Sequence, residues 1–372
     1  MSEAADLLFD LSLSEEQRIT RENLKRFAAT EVRAISRKAD EAAATPAGFF
    51  DKTADLGLTL MPIPEAFGGA GTERSPMSNV LNAEDLAYGD MSLAIGTLTP
   101  LSFVNTLIDQ GSEQQKENYL PRLASEKFVA ATIALMEPRA TFDALEIKTS
   151  AKKQGQDYLL NGVKTMVVLG ESAELILVIA NTDDEGVQAF IVEKGAAGLS
   201  YAEENYMGLR PLEVRRLIFQ DVKVSAINKL GEAEKSFNYE RLLDLTRLGL
   251  ASCVVGTCQA VLDYVVPYVN ERVAFGEPIS NRQSVAFMVA NIAIELEAMR
   301  LMVWRAASRA EQGLSFHKEA YLAKVFCSER AMEIGTNGVQ LLGGHGFTRE
   351  HMVELWYRNV RAMGILEGVV AI

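Results

Sequence analysis

The sequence predicts an α+β protein in three parts. Residues 1–130 form an N-terminal helical domain, 131–236 a central antiparallel β-barrel or sandwich domain, and 237–372 a C-terminal helical bundle. Two observations carry this reading. Apolar residues recur at helical spacing in the first and last parts. The middle part switches to short apolar runs separated by turn residues. A chain of 372 residues, 48% of them hydrophobic, is large enough to build such cores.

The first part opens with "LSLSEEQRITRENLKRFAATEVRAISRKADE". Ser14 and Gln17 make a capping pattern. Ile19, Leu24, Phe27, Val32 and Ile35 then follow a helical period. The glycine-rich "PIPEAFGGAGTERSP" interrupts, and helical patterning resumes to about residue 130. In the middle part, "QDYLLNGVKTMVVLG" places Asn161-Gly162 between two apolar runs, which predicts a hairpin turn. "AELILVIA", "VQAFIVE" and "RRLIFQDVKV" read as further strands, with "NTDDEG" a turn. In the last part Val285, Met288, Val289, Ile292, Leu296, Met299 and Val303 form one apolar stripe.

The net charge of −13 excludes a general nucleic-acid or anionic-membrane binder. Cys253, Cys258 and Cys327 lack the spacing of a disulfide framework and read as reduced packing residues. The N-terminal "MSEAADLLFDLSLSEEQRIT" has neither a basic nor an apolar signal region, and no stretch reaches the roughly 20 apolar residues of a membrane span. A cytoplasmic location is expected. The glycines of "FGGAGTERS" and "LGGHGFTRE" do not have dinucleotide-fold spacing, and there is no phosphate-loop lysine or serine elbow. None of His317, His345 and His351 has a metal-ligand partner at i+4, so no metal site is expected; His345 reads as a loop residue.

Three stretches, taken together, carry a resemblance: "ERVAFGEPISNRQSVAF" (271–287), "QLLGGHGFTRE" (340–350) and "YRNVRAMGILEG" (357–368). They resemble motifs of the flavin-dependent acyl-CoA dehydrogenases. "PEAFGGAG", "AEDLAYGDMSLA" and "DQGSEQQKENYLPRLASE" are similar to that family's N-terminal half. "ALMEP" and "LNGVKTMV" are similar to its β-domain, so the likeness spans the chain in order. The resemblance implies a four-helix C-terminal bundle, assembly as a homo-oligomer (a tetramer or a dimer), and FAD held between β-domain and bundle with help from a neighbouring subunit. It implies oxidation of an acyl-CoA, or another acyl thioester, to the trans-2-enoyl thioester, with electrons leaving to an electron-transfer flavoprotein.

Glu367 in "GILEGVVAI" matches the family's base. The α-proton of a thioester is weakly acidic, and a free glutamate with pKa about 4.3 is a feeble base at neutral pH. Desolvation strengthens a carboxylate base by disfavouring its charged form, and this segment supplies apolar surroundings. From the residues alone, an exposed helix end with a glycine cap remains open. Arg272 matches a pyrophosphate-binding arginine, suited to bidentate contact. Phe275 and Gln283 match cofactor-lining positions, and Gln340, Gly343 and Gly344 match the turn that reaches a neighbour's adenine. Asp244 and Arg247 match substrate-proximal positions, with a solvated i, i+3 ion pair as the plain alternative. Thr246 stands where some members carry the base.

The departures cluster at the flavin. The family's Thr-Glu-Pro-Gly-x-Gly-Ser is here "MEPRATF", which puts Met136 at a flavin-contacting position, Arg139 and Thr141 in place of glycines, and Phe142 beside the substrate's CoA. Its Trp-x-Thr is here Met166-Val167-Val168, with Val168 at a cofactor-lining position. Each lost hydrogen bond removes about 0.5–1.5 kcal/mol of net binding, so weaker flavin retention is expected. Two other readings use the same residues: a non-redox acyl-thioester enzyme on this fold, or a non-catalytic subunit that completes a partner's flavin site through residues 340–344.

Overall fold

The computed structural model describes residues 12–231 and 236–372. The reading of residues 1–11 as free of a signal lies outside them. α1 (Glu15–Phe27) begins at the capping box the sequence announces. The Gln17 N–H donates to Ser14 Oγ at 3.1 Å, and the Ser14 N–H donates to Gln17 Oε1 at 3.0 Å. A π-turn, Ala28–Val32, leads into α2 (Arg33–Ala42). α3 (Phe49–Ala54), α4 (Pro76–Gly89), α5 (Met91–Gln110) and α6 (Glu113–Leu123) complete the first part.

β1 (Ala131–Ala134), β2 (Ser150–Gln154), β3 (Asp157–Val168), β4 (Leu175–Thr182), β5 (Gly186–Glu193), β6 (Leu199–Glu203) and β7 (Val214–Ser225) make one sheet. Its order is β1-β4-β2-β3-β7-β6, with β5 also pairing β4. Most neighbours are antiparallel, as expected, but β1 runs parallel to β4. β4 is apolar from Leu175 to Ala180 because it is covered on both faces. Ile176 and Val178 face a core closed by Phe190, Leu217 and Phe219, while Leu175, Leu177 and Ile179 join the main helical core.

The predicted turn at Asn161-Gly162 is not a turn. β3 runs straight through it, and the hairpin closes at Gly155, φ +64°. Gly162, at φ +150°, sits at a bulge where β3 shifts register against β7. A Cβ there would lie 2.8 Å from Thr149 Cα, immediately before β2. Glycine at this position therefore answers close strand packing, a need that in sequence looks the same as a turn.

The last part contains α7 (Tyr239–Glu271), a small hairpin of β8 (Val273–Ala274) and β9 (Glu277–Pro278), α8 (Gln283–Glu311), α9 (His317–Leu341) and α10 (Val353–Val360). On α8, Ile292, Leu296, Met299 and Val303 are buried as the stripe predicts; Val285, Met288 and Val289 are half-buried. Contrary to the sequence reading, two helices are long and apolar enough to cross a membrane, α5 and α7. Their apolar windows are 94% and 72% buried inside the protein, which makes them core helices. All three cysteines are buried and unpaired, as packing residues.

Candidate functional site

The strand end that carries Met136 is fixed by a buried charge pair. Lys164 of β3 donates from Nζ to Leu135 O at 2.9 Å and to Glu137 Oε1 at 3.1 Å. Glu137 also accepts the backbone N–H groups of Lys148 and Thr149, at 2.9 Å and 2.7 Å. Burial pulls the Lys164 ammonium down to about 8, against the opposing pull of Glu137. Burial works to raise the Glu137 carboxyl, but Lys164 and the N–H groups hold it below the usual range. The two β-domain motifs quoted above, "ALMEP" and "LNGVKTMV", thus meet in one clamp. Met136 between them is buried, and its carbonyl accepts the Thr165 N–H at 2.9 Å.

Against this strand end lies Glu367. A tight turn, Arg361–Gly364, follows α10, and the Leu366 N–H bonds back to Ala362 O at 2.8 Å. The Glu367 N–H then donates to Met136 Sδ at 3.3 Å. Gly368 adopts φ +75°, and a Cβ there would sit 2.6 Å from Leu135 Cβ. Only glycine allows the segment to lie this close to the strand. Glu367 is 9% exposed, not at a solvated helix end.

The expected apolar cage around this carboxylate is only part of its environment. Glu367 Oε1 forms an ion pair and hydrogen bond with Nζ of Lys324 on α9. Glu367 Oε2 lies 3.5 Å from Arg247 Nε, and neither atom makes a hydrogen bond. Arg247 is shared. Its Nη1 is 3.5 Å from Asp244 Oδ1, and its guanidinium lies over the Tyr321 ring at 5.6 Å. Asp244 is hydrogen-bonded to His317 Nδ1 at 2.9 Å. Burial raises the Asp244 carboxyl, opposed by His317 and Arg247. Glu240, Asp244 and His317 have donor atoms within 4.8 Å of one another, an arrangement the Asp244–His317 bond already accounts for. Thr246 turns its hydroxyl back to Leu243 O at 2.7 Å.

Beside these charges runs the loop after β1. Phe142 is half-buried there, with the Arg139 guanidinium 5.6 Å over its ring. Tyr239 ties the loop to α7 by donating to Ala144 O at 2.6 Å. On the other side, next to Leu366, an apolar slot of about 90 Å³ separates the sheet from the bundle. Met166, Val168, Leu209 and Val214 line one wall, Ala362, Ile365 and Leu366 the other, with Arg358 and Arg361 at the rim. The slot's walls are apolar, as the ring of a flavin requires, and its lining residue Leu366 directly precedes Glu367 in the chain. Val168 in this wall and Met136 at the strand end stand where the resemblance implies flavin-contacting hydroxyls, so any ring seated here would be held by packing.

The remaining predicted residues lie elsewhere. From Arg247 to Arg272, at the C-terminal cap of α7, the helix rises about 38 Å. Arg272 and Gln283 are exposed, and Phe275 is 95% exposed at φ +57°, with Arg282 over its ring at 5.8 Å. Gln340, Gly343 and Gly344 are exposed at the end of α9, and a Cβ on either glycine would meet open space. Within one chain, Glu367, Met136, Asp244 and Arg247 come together; Arg272, Phe275 and Gln283 do not join them.

Two residues of the cluster escaped the sequence reading, Lys324 and His317. A signal existed for the first. In "AYLAKVFC", Lys324 is flanked by Ala320, Ala323 and Cys327, which form the buried stripe of α9. A lysine bordering such a stripe needs a partner, but the partner is 43 residues away.

Known proteins match this chain in each of its three parts. Residues 14–127, 132–222 and 238–372 match the N-terminal, middle and C-terminal domains of acyl-CoA dehydrogenases. A subunit of the caffeyl-CoA reductase–Etf complex of Acetobacterium woodii is 36% identical, covering 95% of both chains. Cyclohex-1-ene-1-carbonyl-CoA dehydrogenase of Geobacter metallireducens is 36% identical, covering 96% of this chain and 95% of the other. Butyryl-CoA dehydrogenase from Megasphaera elsdenii superposes with a TM-score of 0.87 at 33% identity, covering 97% and 96%. The chain belongs to the acyl-CoA dehydrogenase family.

Proposed function

We propose that this chain oxidises an acyl-CoA to its trans-2-enoyl thioester, with Glu367 as the base. The observation that carries the proposal is a buried carboxylate at the junction of sheet and bundle, beside an apolar slot. FAD, when bound, supplies the acceptor for the hydride leaving Cβ. Met166, Val168 and Leu366 hold its ring by packing, with Met136 alongside. Glu367 takes the proton from Cα. Gly368 brings the carboxylate to the strand end, and the Glu137–Lys164 clamp fixes that strand end. Arg247 and Asp244 lie on the thioester side, and Phe142 with Arg139 shapes the entrance for the CoA arm.

The predicted cofactor residues outside this cluster imply a second copy. Arg272, Phe275, Gln283, Gln340, Gly343 and Gly344 serve the phosphates and adenine of a flavin bound to a neighbouring chain. Two features support self-association. These residues are exposed in the single chain, and Phe287, Ile294 and Leu301 make a solvent-facing apolar stripe on α8. Electrons pass to an electron-transfer flavoprotein, as the relative from an Etf complex suggests. Relatives that are reductases also suggest the reverse reaction, for which Glu367 delivers the proton instead.

Absorption spectroscopy is the direct test. Purified protein carries flavin bands, and an acyl-CoA substrate bleaches them. A colourless protein that added FAD does not colour overturns the proposal. Glu367→Gln retains the bands but is not bleached.

A further inference from the structure

The carboxylate assigned as base does not stand alone, and its main partner comes from α9. On the sheet side, what meets Glu367 is uncharged, the sulfur of Met136. From α7 it faces Arg247, whose Nε is 3.5 Å away and makes no hydrogen bond. That guanidinium is divided between Glu367 and Asp244, and Asp244 is itself held by His317. From α9 it faces Lys324, which bonds Oε1 directly. The loop after β1 adds Asp143, whose charge acts on Lys324.

We propose that Lys324 is a positioning residue for the reaction: its ammonium group keeps the Glu367 carboxylate ionised and aimed into the junction between turnovers. The inference rests on Glu367 being the base, and it adds a reason why a buried glutamate is ready to accept a proton before substrate arrives. A carboxylate this buried favours its neutral, protonated form unless a cation offsets the lost hydration. Arg247 is badly placed to do so alone, being offset and shared. Burial and Arg247 pull the Lys324 ammonium down to about 8, opposed by Asp143, so it is a cation at neutral pH. A charged ammonium on Oε1 favours the ionised carboxylate. Without it, the carboxyl keeps its proton to higher pH, and turnover on the acid side falls.

The experiment compares wild type, Lys324→Met, Lys324→Arg and Glu367→Gln as holoenzymes. Infrared pH titration reads the protonated-carboxyl band of Glu367 as the part of the spectrum lost in Glu367→Gln, the Lys324→Met form being referenced to the double variant. Its midpoint is expected to rise by about one pH unit or more in Lys324→Met and to return close to wild type in Lys324→Arg. The acid limb of kcat/KM moves by the same amount, about tenfold lower activity at pH values below both midpoints. A midpoint unchanged in Lys324→Met overturns the proposal, even if activity falls evenly at all pH values. Activity retained in Glu367→Gln refutes the base assignment instead, and the infrared result still decides whether Lys324 governs the carboxyl.

Discussion

Near its N-terminal end, α7 packs Asp244 and Arg247 against His317, Glu367 and the Lys324 that pairs with Glu367. At its C-terminal end the same helix hands over to Arg272, Phe275 and Gln283, which stand in solvent. The first end is a buried cluster of mutually paired side chains. The second carries exposed side chains suited to phosphate and to a flat ring. On the proposed reading, the base and the ring slot belong to the first end, and the groups that meet the cofactor's phosphates and adenine belong to the second. In the proposed shared site, a symmetric pair of copies would each lend its outer end to the other.

Substitutions at each end test that division. The largest effect is expected for Glu367→Gln, with turnover reduced about 10²–10⁴-fold in steady-state kinetics and flavin content unchanged. Next comes a mixing experiment between Glu367→Gln and Arg272→Met chains. If sites are shared between copies, unfolding and refolding the two inactive proteins together yields mixed assemblies that contain a fully wild-type site, and activity returns. If each site lies within one chain, the mixture stays as inactive as its parts. Arg247→Met leaves buried carboxylates without their shared cation, so a stability loss of roughly 3 kcal/mol is expected from denaturant unfolding. The smallest stability effect belongs to the outer end. Phe275→Ala should shift unfolding by no more than about 0.5 kcal/mol, while flavin retained through gel filtration falls.

The sequence was most legible where local pattern and local structure coincide. The Ser14–Gln17 capping box, the doubly buried β4 and the central stripe of α8 all follow from spacing within a few residues. It misled at Gly162, because a glycine required by a neighbouring strand reads like a glycine required by a turn. It was incomplete at Glu367. The apolar flanks "GIL" and "VVAI" predicted burial correctly, but the cations that share that burial come from Lys324 and Arg247, on two other helices. Pairings across such distances leave no mark in spacing. A site made of short-range motif pieces is readable; the electrostatic field inside it depends on the tertiary fold.

The residues after Gly368 have a consequence of their own. Val369 to Ile372 are buried, the Ala371 N–H donates to Ser102 Oγ at 2.8 Å, and Asn105 donates to Ala371 O at 3.2 Å, both partners on α5. The segment that bears the proton acceptor is therefore anchored by helices from the opposite end of the chain. A molecule whose first helices have not yet docked has no anchored carboxylate. On the proposed reading, deprotonation of substrate therefore waits until that docking is complete.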